Sequence, residues 1–202
     1  MSSPNPPTEK EASSPLPYIL LGSPLMLGIG TGIAWGIYYA AGAASADAKI
    51  ANVGETRWGF ASSVVLGLTV RYINFIPLMW KVDALKDLEK KHQTNPFVYK
   101  ATDSNSMVIY ETEGAAGSFN RANRSLQHMG ENAGPLLASM YMASTIFPFP
   151  TFVLTLLFGI GRVMHSVGYA QKGYGGHAMG FMISSFSTAI IEGLCLLVAI
   201  KA

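Results

Sequence analysis

Along the chain, five stretches are apolar or nearly so over a membrane-crossing length: about 18–45, 58–80, 121–146, 150–170 and 177–200. A helix needs about 20 mostly apolar residues to cross the hydrocarbon layer, so the pattern predicts five transmembrane helices. The first, YILLGSPLMLGIGTGIAWGIYYAAGAA, is rich in glycine and alanine, with Gly28, Gly30 and Gly32 closely spaced. Small residues let helix backbones approach in lipid, so this helix is expected to pack against another. Pro148 and Pro150 in FPFP predict a tight turn between the third and fourth spans. The long polar connection, 81–118, opens with KVDALKDLEKK, which reads as a short amphipathic helix, and continues through a turn-rich loop around TDSNS. No internal repeat is visible.

The third stretch breaks the apolar rule in a patterned way. Arg124, His128 and Glu131 stand at i, i+4 and i+7, and on the fourth stretch Arg162, His165 and Tyr169 stand at i, i+3 and i+7. Each set occupies one helix face. At about 1.5 Å rise per residue, Arg71, Glu131 and Arg162 come to a similar depth, roughly 13–15 Å below one membrane surface, with His128 and His165 above them at roughly 9–10 Å. A charge at mid-membrane costs at least about 2.5–3.5 kcal/mol, so these groups are expected to face inward and pair, Glu131 with Arg162 or Arg71. The pattern fits a water-filled cleft that binds an anion between bidentate arginines. It fits equally a structural ion pair that fixes helix register. A third arrangement, His128 and His165 as axial haem ligands, is not expected, nor is a metal site. Glu192 in STAIIEGLCLLVAI stands apart and is counted with His128 and His165 in a structural polar layer. Asn74 is left equally undecided, and Trp58 and Trp80 fit interfacial anchoring.

Composition strengthens the membrane reading. Half of the 202 residues are hydrophobic and 13% are charged, against about 25% charged in soluble domains. A net charge of +2 with no basic run points away from nucleic acid. The single cysteine, Cys195, excludes an internal disulfide and reads as a small hydrophobe. The start, MSSPNPPTEKEASSPLP, lacks the basic segment and apolar core of a secretory signal and reads as a polar tail that orders only against a partner. With five spans, the tail and the 81–118 loop share a side, together with Lys81, Lys86, Lys90, Lys91, Lys100, Arg121 and Lys172; Lys49, Arg57 and Lys201 mark the other. Positive charge faces the cytoplasm or its equivalent.

The stretch from FNRANRSLQHMGEN through FGIGRVMHSVGYAQKGYGGHAMG resembles the MAPEG family, the membrane-associated proteins of eicosanoid and glutathione metabolism. The matching positions are Phe119, Asn120, Arg124, Glu131, Asn132, Pro135, Gly161, Arg162, Gly168 and Tyr169. The resemblance covers about 58–202 and implies an all-α four-helix membrane bundle that forms homotrimers, with glutathione between subunits near the cytoplasmic side. It implies Arg124, Glu131, Arg162 and Tyr169 as glutathione-site residues, with Arg71 as a further contact that no motif aligns. His128 stands where the family usually has Asn, and His165 where it has Tyr. The family's catalytic arginine has no counterpart in AQKGYGGHAMG, where Lys172 and His177 are the nearest cations.

The expected organisation is therefore a tail at 1–17, an extra transmembrane helix at 18–45, a short loop at 46–57 and a MAPEG-like domain at 58–202 with its polar loop at 81–118. The missing arginine and the extra helix favour a non-catalytic accessory subunit of a larger membrane complex, such as an energy-transducing one, docked through residues 1–45. The alternative is a working glutathione transferase or peroxidase acting on lipophilic electrophiles. The setting is an integral membrane in contact with lipid, either the mitochondrial inner membrane or the endoplasmic reticulum.

Overall fold

The computed structural model describes residues 16–85, 97–101 and 108–202. The tail expectation at 1–15 and most of KVDALKDLEKK fall outside the described residues. The elements are α1 (Leu16–Ala40), α2 (Ala43–Ile50), a 3₁₀ turn (Gly54–Thr56), α3 (Arg57–Phe75), α4 (Leu78–Ala84), β1 (Tyr99–Ala101), β2 (Val108–Tyr110), α5 (Gly114–Ile146), α6 (Pro148–Lys172) and α7 (Ala178–Lys201).

Among the described residues, four helical segments are long and apolar enough to cross a membrane: Leu20–Ala40, Gly54–Ala84, Pro148–Lys172 and Ala178–Lys201. The expected third span, α5, is long enough at 33 residues, but Arg121, Arg124 and Glu131 keep its N-terminal half polar. At about 1.5 Å per residue it measures about 50 Å and outreaches a hydrocarbon core of about 30 Å. Four boundaries differ from the pattern. The first span ends at Ala40, where Gly42 at φ 93° breaks the chain before α2, so the loop expected at 46–57 is largely helical. The second is interrupted at Ile76–Pro77, because proline offers no N–H to continue the ladder. The third starts seven residues early, at Gly114. The polar loop carries an antiparallel hairpin, Tyr99 facing Tyr110 and Ala101 facing Val108. The FPFP turn forms as expected, with Phe147 non-helical and Pro148 opening α6, a position where its missing N–H costs nothing.

The core lies among α3, α5, α6 and α7, where Leu66, Ile73, Met129, Leu136, Met140, Phe158 and Ile191 are buried. The seam between α6 and α7 is closed by glycine. A Cβ on Gly161 would lie 2.7 Å from the Ser184 backbone nitrogen, and one on Gly180 would run into the backbone of His165. Gly168 and Gly176 meet in the same way nearer the aqueous end. Gly173, at φ 71°, ends α6 and reverses the chain into α7.

At that end, two neighbours on α5 tie the hairpin to the bundle. Asn120 exchanges hydrogen bonds with Val98, whose N–H donates to Oδ1 at 2.8 Å and whose carbonyl accepts from Nδ2 at 2.7 Å. It also donates to the Glu111 carbonyl at 2.9 Å. Arg121 donates to the carbonyls of Tyr169, Ala170 and Thr112 and to Ser118 Oγ. A cation on the last carbonyls of α6 also suits the negative end of that helix.

The extra helix is attached lightly. Within it only Ser23 is buried among the described side chains, and Tyr72 Oη donates to the Leu20 carbonyl at 3.2 Å. The expected packing of this helix against another is met only at its start, against α3; a Cβ on Gly28, Gly30, Gly32 or Gly36 would meet nothing within 4 Å among the described residues.

Candidate functional site

Three hollows open on the face shared by α5, α6 and α7. The first lies at the aqueous end, about 460 Å³ in volume, between the hairpin and the α6–α7 turn; Tyr110, Arg121, Arg124, Tyr169 and Tyr174 are on its walls. The second, about 190 Å³, is lined by Arg124, Ser125, His128, His165, Tyr169, His177 and Phe181. The third, about 290 Å³, lies deeper; its polar walls are His128, Asn132, Arg162, Ser184, Ser185, Thr188 and Glu192, its apolar walls include Leu136, Phe158 and Phe181. The first two share Arg124 and Tyr169, and the last two share His128 and Phe181. The hollows therefore adjoin in a row, a trough with shared walls that follows about 21 Å of α5 from Arg121 to Pro135.

The polar core of the trough is a short network. Arg162, only 3% exposed, donates from Nη1 to His128 Nδ1 at 3.1 Å and from Nη2 to the Ser125 carbonyl at 3.2 Å. Its Nε is buried without a partner. Ser125 Oγ meets His165 Nδ1 at 3.0 Å and Ser166 Oγ at 2.6 Å. The imidazoles of His128 and His165 lie 5.8 Å apart, centre to centre, at 28°, and His177 sits edge-on to His165 at 5.3 Å and to Tyr169 at 5.2 Å.

The expected pairing of Glu131 with Arg162 or Arg71 is wrong. Glu131 pairs with Arg124 at 3.0 Å, one face and two turns along the same helix, and both side chains are 54% exposed. Local reach explains it: residues i and i+7 stack on one α5 face, whereas Arg162 comes from the opposite side and meets His128 first. Arg71 donates to the Gly67 carbonyl on its own helix at 3.2 Å and lines none of the three hollows. The structure thus brings together Arg124, Tyr169, His128, His165, Arg162, His177 and Glu192, and leaves out Arg71, Lys172 and Glu131, which lines no hollow and reaches the trough only through Arg124. Of the two cations nearest the place of the family's arginine, Lys172 is exposed at the end of α6 and lines none of the hollows, whereas His177 lines the second. Glu192, set apart in the sequence, stands on the wall of the deep hollow.

Sequence reading missed the hydroxyl side of the trough. Ser184, Thr188 and Glu192 are spaced by four, a polar stripe on an otherwise apolar span that helical periodicity exposes. The Ser184 and Thr188 hydroxyls donate to carbonyls of their own helix at 3.1 and 3.0 Å, which keeps them satisfied in a low-dielectric setting. Ser125 and Ser166 carried no signal beyond lying one residue from Arg124 and from His165. Arg121, a site-like arginine by position, is a structural clamp.

The arrangement offers a cationic, aromatic mouth in water, a histidine-lined neck and a mixed cleft at bilayer depth. It suits an amphiphilic encounter: an anionic, water-borne molecule above and an apolar one below. A model of the MAPEG family matches residues 74–197, more than half of the chain. The match begins at the end of α3, so it leaves out α1, α2 and Arg71. No curated protein and no solved structure matches the chain.

Proposed function

The chain belongs to the MAPEG family, and from that premise we propose that its trough binds glutathione and turns the thiol on lipophilic electrophiles from the bilayer. The observation that carries this reading is that the three hollows adjoin through shared walls, setting a cationic mouth at the aqueous end in line with a cleft farther along the spans. Glutathione is a flexible anion. Its carboxylates suit Arg124 at the mouth, and Tyr169 and Tyr174 offer ring surface and hydroxyls beside it. The thiol then reaches the neck. A free thiol ionises near 8.5, and a helix N-terminus or neighbouring cations lower that value. Here the first turn of α7, with His177 as its N-cap, and Arg124 take the part the family gives to an arginine. The thiolate attacks an electrophilic carbon, forming the S–C bond as the leaving group departs with its electron pair.

A homotrimer completes the same reading. In a single chain, Glu131 and Glu192 are exposed on the face that borders the trough, and an exposed charge within lipid costs at least about 2.5–3.5 kcal/mol. A neighbouring copy over that face covers them. Isothermal titration of the detergent-solubilised protein is expected to give glutathione binding at millimolar concentration or below, with Arg124→Ala weakening it by about tenfold, the loss of one charge-assisted contact. No heat of binding up to tens of millimolar glutathione removes the reading.

A second reading is supported by a different observation. The glycine face of α1 is unoccupied, and AQKGYGGHAMG offers no arginine. Together they favour an accessory subunit of a larger membrane complex, docked through residues 1–45, with the trough kept as a relic. Solubilised protein that runs as a discrete homotrimer and turns over glutathione with its N-terminal 45 residues deleted excludes it.

A further inference from the structure

We propose that His128 is the electrophilic residue of this trough. It is a neutral imidazole, fixed as its Nε2–H tautomer by Arg162, and it donates a hydrogen bond to substrate oxygen as negative charge develops there. This rests on the glutathione reading above and adds to it the residue and the class of substrate: electrophiles whose bond to oxygen breaks, such as epoxides.

The tautomer follows from the inventory of donors. A guanidinium has five N–H donors and no acceptor. The contact at 3.1 Å between Arg162 Nη1 and His128 Nδ1 is therefore a hydrogen bond only if Nδ1 carries the lone pair. A neutral ring then holds its one proton on Nε2, and a proton on both nitrogens would set two cations against each other at that contact. The surrounding charges do not reverse this. From α5, Glu131 is engaged with Arg124; from α6, His165 bonds Ser125; from α7 come His177 and, in the deep hollow, Glu192. No carboxylate bonds Arg162 among the described residues, so its charge stays on the His128 side.

Position supplies the rest. His128 Nε2 has no hydrogen-bond partner among the described residues, and His128 is the one polar side chain that lines both the neck and the deep cleft. A lipophilic molecule rising in the cleft meets a thiolate in the neck at that junction. When sulfur attacks the carbon of an epoxide, the C–S bond forms and the C–O bond breaks with its electron pair on oxygen. His128 Nε2–H holds the resulting alkoxide, which takes its proton from water entering through the mouth, matching the proton the thiol gave up. A neutral imidazole serves such a role because it polarises the oxygen without surrendering its own proton. Arg162, buried in the wall of the cleft, acts through His128 in this proposal: it is a positioning residue that sets the tautomer.

The test compares two probes that differ in where charge develops: styrene oxide, which generates an alkoxide, and benzyl chloride, which releases chloride and generates none. Glutathione affinity is measured first by titration on wild type, His128→Ala and His128→Asn. With glutathione saturating for each variant, kcat on styrene oxide lowered about 10²-fold in His128→Ala, a loss on benzyl chloride at least tenfold smaller, and recovery on styrene oxide in His128→Asn support the proposal. Equal losses on both probes, or no loss on either, overturn it while leaving the glutathione reading intact; absence of binding in wild type removes both. In ¹⁵N-histidine spectra of the solubilised protein, the His128 ring is expected as the Nε2–H tautomer and disturbed by Arg162→Met but not by Arg162→Lys. An Nδ1–H or doubly protonated ring in wild type overturns the proposal.

Discussion

Glycines of two regions behave in opposite ways. In α1, Gly28, Gly32 and Gly36 lie four apart on one face and meet nothing within 4 Å. In the α6–α7 seam, Gly161, Gly168 and Gly180 are so close to the facing backbone that no side chain fits. Both stretches show the small-residue spacing that permits helix contact in lipid. Spacing therefore reports that a close approach is allowed and leaves open whether a partner within the chain takes it. The seam is closed because Gly173 reverses the chain at once and places α7 directly on α6. For α1, the connection through α2 and the 3₁₀ turn sets only its first turns against α3.

The sharpest way to break this comparison is to fill the seam. Gly180→Val has to displace the His165 backbone, and overpacking against backbone belongs with the exceptional losses above about 4 kcal/mol. At about 2–4 °C per kcal/mol for a chain of this size, the melting temperature in detergent is expected to fall by more than about 8 °C. Because the displaced residue is His165, glutathione binding should fall as well. A Gly180→Val protein with unchanged melting temperature shows that the seam is looser than its geometry.

The next largest effect lies at the aqueous end. Arg121→Ala removes a clamp that reaches the carbonyls of Tyr169, Ala170 and Thr112. Several charge-assisted bonds of about 1.5–3 kcal/mol each are lost, partly replaced by water, so a loss of about 2–4 kcal/mol is expected in chemical denaturation. Arg124→Ala, three residues on and exposed, is expected to change stability by less than about 1 kcal/mol. Equal losses at the two positions erase the distinction between clamp and ligand residue.

That pair shows how far a sequence carries. The spans, the FPFP turn and the common height of His128 and His165, with Arg162 just below them, follow from periodicity and rise per residue, which depend on the backbone alone. Which cation meets which partner depends on side-chain reach. Glu131 could turn to Arg124 on its own helix or to Arg162 across the trough, and spacing does not distinguish them; Arg121 and Arg124 look alike until the end of α6 is placed. The hairpin was illegible because YKA and VIY are too short to show alternation. Arg71 was placed by depth, which fixes height but leaves the direction around the helix open.

A smaller effect is expected in α1. Gly28→Leu, Gly32→Leu and Gly36→Leu together enter open space and raise helix propensity, so the isolated chain should keep its melting temperature or gain slightly. If the same triple change dissociates an assembly on native gels while leaving the chain folded, the open face is an interface, and the contrast with the seam becomes one between external and internal partners.

The mildest test separates the seam, which has no carboxylate, from the hairpin above it. Glu111 Oε1 accepts from the N–H of Glu113 at 3.0 Å and of Thr112 at 2.8 Å, and from Lys100 Nζ at 3.1 Å. The Glu113 N–H, then Lys100, hold its carboxyl below the usual 4.5. A carboxyl lowered in the folded state binds fewer protons there than in the unfolded chain, so its contribution is complete above about 4.5 and is lost as pH falls through the folded value. Hydrogen exchange, corrected for intrinsic rates, should therefore show the Thr112 and Glu113 amides losing protection below that pH while amides of α6 and α7 keep theirs. Glu111→Gln should flatten the hairpin profile and leave the helices unchanged. Loss of protection in seam and hairpin together means that the aqueous end and the bundle open as one unit, and the line drawn between them disappears.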